Sequence, residues 1–196
     1  MISKNIQKKY QFLFWQPSVD WFKNISQKKH GSIFLVFFNY FLWVFLFYVS
    51  FKLIKQDANI FWQLFLATVL SEIVEKLLKR LVLWRRPLHL RDNCVPNGMI
   101  KSCYQHGSFP SGHSIKIAFF FILLLQNPIC FPLLIYVAVT LFLAISRVFL
   151  GLHYPIDLIG GFIIGVILGL IISKIIFPLY LIEFIRPIFN FIFFIN

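Results

Sequence analysis

Acidic residues are scarce in this sequence, and charge of either sign is uncommon. Of its 196 residues, seven are Asp or Glu and nineteen are Lys or Arg, so charged residues make up 13% of the chain. Hydrophobic residues make up 59%. Because soluble domains carry about 25% charged residues on average, this composition excludes an ordinary soluble domain and favours a protein embedded in a membrane.

The sequence also lacks a cleavable signal pattern, because its first apolar run is short and no A-x-A-like site follows it. We expect the first long apolar segment to act as an uncleaved anchor. Cysteine is rare as well, with three in the chain. Cys94 and Cys103 share one polar loop, and the sequence leaves open whether an oxidising compartment joins them in a disulfide or both stay thiols.

Basic residues give the chain a formal net charge of +12. In a soluble protein such an excess would suggest a nucleic-acid partner. Here the basic residues lie at the ends of apolar runs, a position that fits anionic lipid headgroups or a phosphorylated substrate better. We therefore expect membrane lipids and a lipid phosphate as partners, and no nucleic acid. The sequence indicates no particular oligomeric state.

Long apolar runs predict an all-α fold, a polytopic bundle of membrane-spanning helices. The first run, Ile33–Phe51, has nineteen residues and no charge, which at about 1.5 Å per residue covers the hydrocarbon core of a bilayer. Four further spans are predicted at about Ile60–Trp84, Ser111–Gln126, Pro132–Phe149 and Ile156–Phe177. The bundle therefore has five predicted spans.

The N-terminal segment differs from these spans. Residues 1–30 mix six lysines with aromatic residues and are interrupted by Pro17. This pattern predicts an amphipathic segment that lies in the headgroup region of the membrane. We thus divide the chain into an N-terminal segment, residues 1–30, and a membrane-embedded domain, residues 31–196.

The C-terminal segment is open to two interpretations. In residues 178–196, Glu183, Arg186 and Pro187 lie among aromatic side chains. The segment could be a sixth span, but two charges and a proline near its centre favour an interfacial helix.

Three polar clusters interrupt the apolar chain. They follow the patterns K-x6-R-P, P-S-G-H and S-R-x5-H-x3-D, and they begin at Lys79, Pro110 and Ser146. Five alternating spans place all three clusters at the same membrane face. Together they supply three cations, two histidines, a hydroxyl, a glycine amide and a carboxylate, a set suited to binding a phosphate and transferring it to a histidine.

In this order the three motifs resemble those of the type 2 phosphatidic acid phosphatases. This superfamily includes membrane lipid phosphate phosphatases, glucose-6-phosphatase and the soluble vanadium haloperoxidases. The resemblance covers residues 79–157, and every motif position carries the expected residue type. It implies a phosphatase without a metal or other cofactor. The residues themselves also argue against metal, because three adjacent cations would repel a divalent ion from a His–His–Asp site.

Five residues are predicted to bind the phosphate. Lys79, Arg86 and Arg147 are suited to this task, since arginine binds phosphate through paired N–H groups and lysine acts as a compact charge. The hydroxyl of Ser111 can donate a hydrogen bond. Gly112 lets its amide approach an anion closely at the start of a helix, where free N–H groups and the helix dipole favour negative charge.

His153 is the predicted nucleophile, because a neutral imidazole can attack phosphorus and hold the phosphoryl group until water removes it. Asp157, four residues later, can accept a hydrogen bond from the other ring nitrogen and fix the tautomer. His113 is the predicted general acid for the leaving oxygen. The family resemblance implies the same three roles. The remaining histidines are interpreted as structural: His30, His89 and His106.

The second predicted span carries acidic residues within its apolar sequence. Glu72–Lys76 and Glu75–Lys79 are both spaced as i,i+4 pairs, which can offset the cost of placing charge in lipid. Glu75 then either holds Lys79 protonated and aimed at the site or serves only as its counter-ion. The sequence does not decide between these two roles.

Glycines recur every four residues in the fifth predicted span, at Gly161, Gly165 and Gly169. This spacing predicts a face that packs closely against another helix. We expect that contact within the monomer rather than at a dimer interface.

The combined pattern predicts an integral membrane phosphatase. Its small size, five spans and amphipathic N-terminus are similar to bacterial undecaprenyl-diphosphate phosphatases, which makes undecaprenyl diphosphate the first predicted substrate. Some of those enzymes carry Asp at the position of Gly112, so phosphatidylglycerophosphate, phosphatidic acid and lipid A stay as alternatives. A water-soluble sugar phosphate is a further alternative, and a non-catalytic transporter or scaffold is the rival class.

Signals for membrane orientation conflict. The N-terminal lysines lie on the same face as the motifs, so the positive-inside rule places the site in the cytoplasm. The family resemblance and the cysteine pair imply the opposite. We expect a bacterial inner membrane with the active site on its periplasmic, outer face.

Overall fold

The computed structural model describes residues 10–18, 20–21, 29–81, 83–87, 107–128 and 131–193. Regular structure within these ranges is helical and includes no strand, which confirms the all-α prediction. Six helices form in this order: α1 Lys29–Gln56, α2 Asn59–Arg80, α3 Gly112–Gln126, α4 Leu133–Phe149, α5 Pro155–Ile172 and α6 Leu179–Phe193. Several predictions from the sequence concern residues outside the described ranges: Cys94, Cys103, His89, His106 and the side chain of His30.

Two helices end earlier than the sequence predicts. α2 ends at Arg80 rather than Trp84, and α5 ends at Ile172 rather than Phe177. Pro87 and Pro178 follow the two predicted ends, and a proline disfavours helical conformation at itself and at the residue before it. The earlier end of α2 leaves the chain after it non-helical, so that Trp84 can turn towards α5.

The most extensive contact between helices joins α3 and α5. The three regularly spaced glycines of α5 lie in this contact. A Cβ added to Gly165 would lie 2.6 Å from the Cβ of Ala118, and added Cβ atoms at Gly161 and Gly169 would likewise crowd α3. The predicted close-packing face therefore lies within the monomer, and it brings the backbones of α3 and α5 together.

The hydrophobic core lies among α1, α2, α3 and α4. Its buried members include Leu53 of α1, Ile60 of α2 and Phe119 of α3. The hydroxyl of Tyr136 in α4 donates a hydrogen bond to the carbonyl of Ile117 in α3 at 2.7 Å. This bond satisfies a buried polar group and fixes α4 beside α3.

Apolar side chains cover the outward face of α5. Ile163, Ile167 and Ile171 are each more than half exposed. Of the helices in the described ranges, α5 has both the length and the composition to span a membrane, while α3 and α4 are apolar but have 15 and 17 residues. The number of spans, five or six, stays a prediction, as does the placement of α6, which contains Pro187.

The described part of the N-terminal segment lies against the end of the bundle where α5 begins. The backbone N–H of Ile156 donates a hydrogen bond to the carbonyl of Leu13 at 3.2 Å. The ring of Phe14 packs edge-on against Trp84 and Tyr154, with ring centroids 5.3 and 5.4 Å apart. The segment thus covers part of the bundle end that carries the motifs, whereas its predicted position at a membrane surface is untested.

Candidate active site

Asp157 lies in the first turn of α5 and is fully buried. Its Oδ1 accepts a hydrogen bond from Nε1 of Trp84 at 2.8 Å. Its Oδ2 accepts one from the backbone N–H of Tyr154 at 2.8 Å and another from the hydroxyl of Ser108. Three donors from three parts of the chain hold this carboxylate in a single orientation.

His153 precedes α5 and lies beside that carboxylate. Its Nδ1 is 3.4 Å from Oδ2 of Asp157, longer than a usual N–H···O bond, so the two groups form an electrostatic pair that a small ring rotation would convert into a hydrogen bond. The loop before His153 turns at Gly151, whose φ of 68° is one that glycine adopts without strain. This turn returns the chain from α4 to α5 within a few residues.

The protonation state of His153 follows from its surroundings. Burial lowers the pKa of His153 to about 4, the positive charge of Arg86 acts in the same direction, and Asp157 opposes the shift. At neutral pH the imidazole is therefore neutral and keeps a lone pair on one ring nitrogen. A nucleophile requires that form.

The start of α3 is bonded to α5. The backbone N–H of Ser111 donates to the carbonyl of Asp157 at 3.1 Å, and the Ser111 hydroxyl oxygen caps α3 by accepting from the N–H of Ser114 at 3.4 Å. As an acceptor, this hydroxyl keeps its own proton for a further bond. Gly112 opens the helix. The Nε2 atom of the next residue, His113, is buried and has no hydrogen-bond partner among the described residues.

The three predicted phosphate-binding cations come from the ends of two helices and a loop. Lys79 lies in the last turn of α2 and Arg147 in the last turn of α4. Arg86 follows α2, is buried, and donates from Nη1 to the carbonyl of Leu152 at 3.3 Å. Arg86 and Lys79 both act electrostatically on His153, so positive charge surrounds the predicted nucleophile.

Acidic residues of α2 pair in part as predicted. Glu75 forms the predicted ion pair with Lys79. Glu72 forms its direct ion pair with Lys116 in α3, with Oε1 2.7 Å from Nζ, while the predicted partner Lys76 acts on Glu72 over a longer distance. Lys116 is buried, and a buried ammonium group needs a counter-ion more than an exposed one does.

Three residues of this region were missed by sequence reasoning. Trp84 and Ser108 donate to Asp157, and Lys116 pairs with the acidic residues of α2. A charged residue in the middle of an apolar span was a usable signal for Lys116. No pattern marks Trp84 or Ser108, because their role depends on how two loops fold against α5.

All eight residues of the predicted site lie in described ranges, at helix ends or in the loops next to them: Lys79, Arg86, Ser111, Gly112, His113, Arg147, His153 and Asp157. Their chemical roles stay predictions. Among the residues that the structure describes, no group of three or more His, Cys, Asp or Glu side chains is placed to hold a metal ion. Independence of metal is likewise a prediction.

Comparison with known proteins identifies the family. Residues 60–180 match the family model described as the PAP2 superfamily. This chain belongs to the PAP2 superfamily. The resemblance inferred from the three motifs is thereby confirmed.

Curated relatives of this PAP2 chain are phosphatases. It is 35% identical over 109 residues to the lipid A 1-phosphatases of Rhizobium johnstonii and Rhizobium etli, a match that covers 52% of this chain and 42% and 44% of those proteins. The chain therefore spans less than half the length of the curated relatives it matches. The relatives agree with the predicted reaction class, the hydrolysis of phosphoric esters.

A solved structure shares the fold. The transmembrane PAP2-type phosphatidylglycerolphosphate phosphatase of Bacillus subtilis aligns with a TM-score of 0.51 and 20% identity, over 87% of this chain and 86% of that one. The two proteins therefore share a helix-bundle fold.

Proposed function

We propose that this PAP2 chain is an integral membrane phosphatase that hydrolyses a lipid phosphate through a phosphohistidine at His153. The proposal is supported by a neutral, buried imidazole that lies beside a fixed carboxylate and within the electrostatic reach of Arg86 and Lys79. These are the groups that an in-line transfer of a phosphoryl group to nitrogen requires.

The proposed reaction has two steps. Nε2 of His153 attacks phosphorus, the P–O bond to the lipid breaks, and His113 gives a proton to the leaving oxygen. Water then attacks the phosphohistidine, the P–N bond breaks, and His113 takes a proton from that water. Asp157 stabilises the positive charge that develops on the imidazole when Nε2 bonds to phosphorus.

An apolar groove supports a lipid rather than a water-soluble substrate. It has a volume of about 360 Å³ and lies between α3, α4 and α5. At one end it is lined by Ser114, next to His113, and by Leu158, next to Asp157. Its lining also includes outward-facing residues such as Ile163. A hydrocarbon tail could therefore lie in the groove while its phosphate lies at the site.

The known relatives give an order to the candidate lipid headgroups. Lipid A phosphate comes first, because the lipid A 1-phosphatases share 35% identity with this chain over 109 residues. Phosphatidylglycerophosphate comes second through the shared fold. Undecaprenyl diphosphate, the first substrate predicted from the sequence, comes third, and phosphatidic acid follows.

Sidedness is part of the same proposal. We place the site on the outer face of a bacterial inner membrane, where the family resemblance puts it, against the bias of the N-terminal lysines. A membrane-impermeant amine reagent applied to intact spheroplasts would label Lys4, Lys8 and Lys9 if this face is external. Labelling only after lysis would reverse the orientation.

Phosphate release by the purified protein in detergent and EDTA tests the activity. The panel comprises lipid A, phosphatidylglycerophosphate, undecaprenyl diphosphate, phosphatidic acid and glucose-6-phosphate, with p-nitrophenyl phosphate as a small soluble ester. Release from one lipid well above the others would name the headgroup. Absence of release from every substrate by folded protein would favour the non-catalytic class.

A groove variant tests the tail site separately. Ala144→Phe fills the groove that Ala144 lines, so we expect KM for the preferred lipid to rise by about tenfold, in line with ~1–3 kcal/mol for a blocked apolar contact. Hydrolysis of p-nitrophenyl phosphate should stay unchanged. Ile167→Phe, at an exposed position of α5 outside the groove, is the matched control. Equal losses on both substrates would contradict a tail site in the groove.

A further inference from the structure

The side chain of Glu75 lies at the start of α3, in front of the predicted phosphate-binding glycine. A Cβ added to Gly112 would overlap the Glu75 carboxylate. The carboxylate therefore occupies the space that a side chain at position 112 would take. Free N–H groups and the helix dipole favour an anion at such a helix start.

Two lysines flank the same carboxylate. Its Oε1 forms the ion pair with Lys79, and its Oε2 lies 3.7 Å from Nζ of Lys116. The side chains of Glu75 and Lys79 are 16% and 15% exposed, so water screens this pair only in part. The carboxylate therefore lies beside a helix start and between two ammonium groups, where positive charge would also attract a phosphate.

We propose that Glu75 is an exchangeable internal anion. It occupies part of the phosphate site when no substrate is bound, and the substrate phosphate displaces it towards Lys116. The inference rests on the proposed function, because it takes Lys79 and Gly112 to bind the substrate phosphate. Glu75 is thus a positioning residue that holds Lys79 at the site and competes with the product phosphate.

Electrostatic repulsion requires the displacement. A phosphate bound to Lys79 and to the first amides of α3 would bring two like charges close together in a partly dehydrated site, where repulsion is much stronger than in water. The carboxylate and the phosphate cannot both keep Lys79 as their nearest cation. The ligand with more negative charge, a phosphate monoester near pH 7, takes that position.

Lys116 provides the second position for the displaced carboxylate. Its ammonium group has three donors, one of which bonds to Glu72 at 2.7 Å. The 3.7 Å separation from Glu75 is too long for a hydrogen bond, but a side-chain rotation of Glu75 would close it. The side chain of Lys116 is 4% exposed. Because the surrounding protein restrains it, its ammonium group stays near Glu75.

Competition by inorganic phosphate measures this exchange. We would determine Ki for inorganic phosphate against p-nitrophenyl phosphate hydrolysis, in detergent and EDTA, for the wild type and for Glu75→Gln. The amide keeps the size of the side chain but removes its charge, so Ki should fall by about tenfold, since a like charge that water screens only in part is removed. Tighter binding is a result that a purely structural role of Glu75 would not produce.

Two further variants complete the experiment. Glu183→Gln removes a carboxylate charge from an exposed position of α6, outside the candidate site, and should leave Ki within about twofold of the wild type. Glu75→Asp keeps the charge but withdraws it from Gly112 by one methylene, so it should lower Ki as well and serves if Glu75→Gln does not fold. Unchanged or raised Ki in both Glu75 variants would overturn the proposal. Absence of hydrolysis by the folded wild type would instead overturn the proposed function.

Discussion

Two halves of the candidate site are held in different ways. The half on α3 and α5 contains His113, His153 and Asp157, and its helices meet at backbone distance through the α5 glycines. The half on α2 and α4 contains Lys79 and Arg147, which reach the site from helix ends on long side chains. Close packing fixes the helices of the first half, whereas in the second half an ion pair with Glu75 holds Lys79.

This difference matches the chemistry that each half would perform. In-line attack on phosphorus depends on the position of a ring nitrogen, and a displacement of about 1 Å can cost about 10²-fold in rate. A cation stabilises a phosphate over a broader range of positions, because Coulomb energy falls slowly with distance. We therefore expect damage to the α3–α5 half to lower kcat and damage to the cation half to raise KM.

The largest effect should follow loss of the nucleophile. His153→Ala removes the atom that would bond to phosphorus, so turnover should fall by at least about 10⁴-fold, as it does when a nucleophile is removed from other enzymes. Near-ultraviolet circular dichroism and thermal unfolding in detergent would show that the variant is folded. Retained turnover in a folded His153→Ala protein would exclude the phosphohistidine mechanism.

The next effect should follow from crowding the glycine contact. In Gly165→Ala the new Cβ would lie 2.6 Å from the Cβ of Ala118, so α3 and α5 must move apart and His153 must shift relative to the start of α3. We expect kcat to fall by about 10²-fold with little change in KM. Ile167→Phe, on the exposed face of the same helix, is the control. Normal kcat in Gly165→Ala would show that the spacing of α3 and α5 is not critical.

A smaller effect should follow from removing a cation. Lys79→Gln removes one charged hydrogen bond to phosphate, worth about 1.5–3 kcal/mol, so kcat/KM should fall by about 10- to 10²-fold, mainly through KM. Lys76→Gln, three residues earlier on α2, should behave as the wild type. A fall in kcat alone in Lys79→Gln would show that the cation half takes part in the chemical step and not only in phosphate binding.

The smallest effect should appear in the dependence on pH. Because the pKa of His153 is lowered to about 4, the histidine stays neutral well below its usual pKa of about 6.5. Protonation of His153 should therefore lower kcat/KM only near pH 4. The free energy of unfolding also depends on the protonation of His153. The unfolded chain binds this proton more tightly, so stability should decline as pH falls from about 6.5 to about 4 and then level off.

Rate and unfolding measurements between pH 3.5 and 8, with the His153→Ala variant as reference for stability, check both expectations. If kcat/KM instead fell near pH 6.5 on the acid side, His153 would have its usual pKa, and its ring would be exposed to water.

Motifs with fixed spacing were predictable from the sequence. The four-residue step from Glu75 to Lys79 places two side chains on neighbouring turns of α2, and that pair forms in the structure. The glycine spacing in α5 likewise predicted close packing. These features depend on the local geometry of one helix, which the sequence specifies directly.

Contacts between distant segments were not predictable in the same way. Glu72 forms its ion pair with Lys116 of α3 rather than with Lys76, which is closer in sequence, because helix packing buries Lys116 beside Glu72. Trp84 and Ser108 reach Asp157 only after two loops have folded onto α5. Such choices depend on which partner is buried, and burial is decided by the whole bundle.

The hydrogen bond from Ile156 to Leu13 has a consequence for biosynthesis. Its acceptor is made before α1, whereas its donor is made only after α1 to α4. The helix that carries Asp157 therefore cannot reach its final position while the early helices are being inserted. The reactive centre is therefore completed only once α5 has been made, when Ile156 can bond to Leu13.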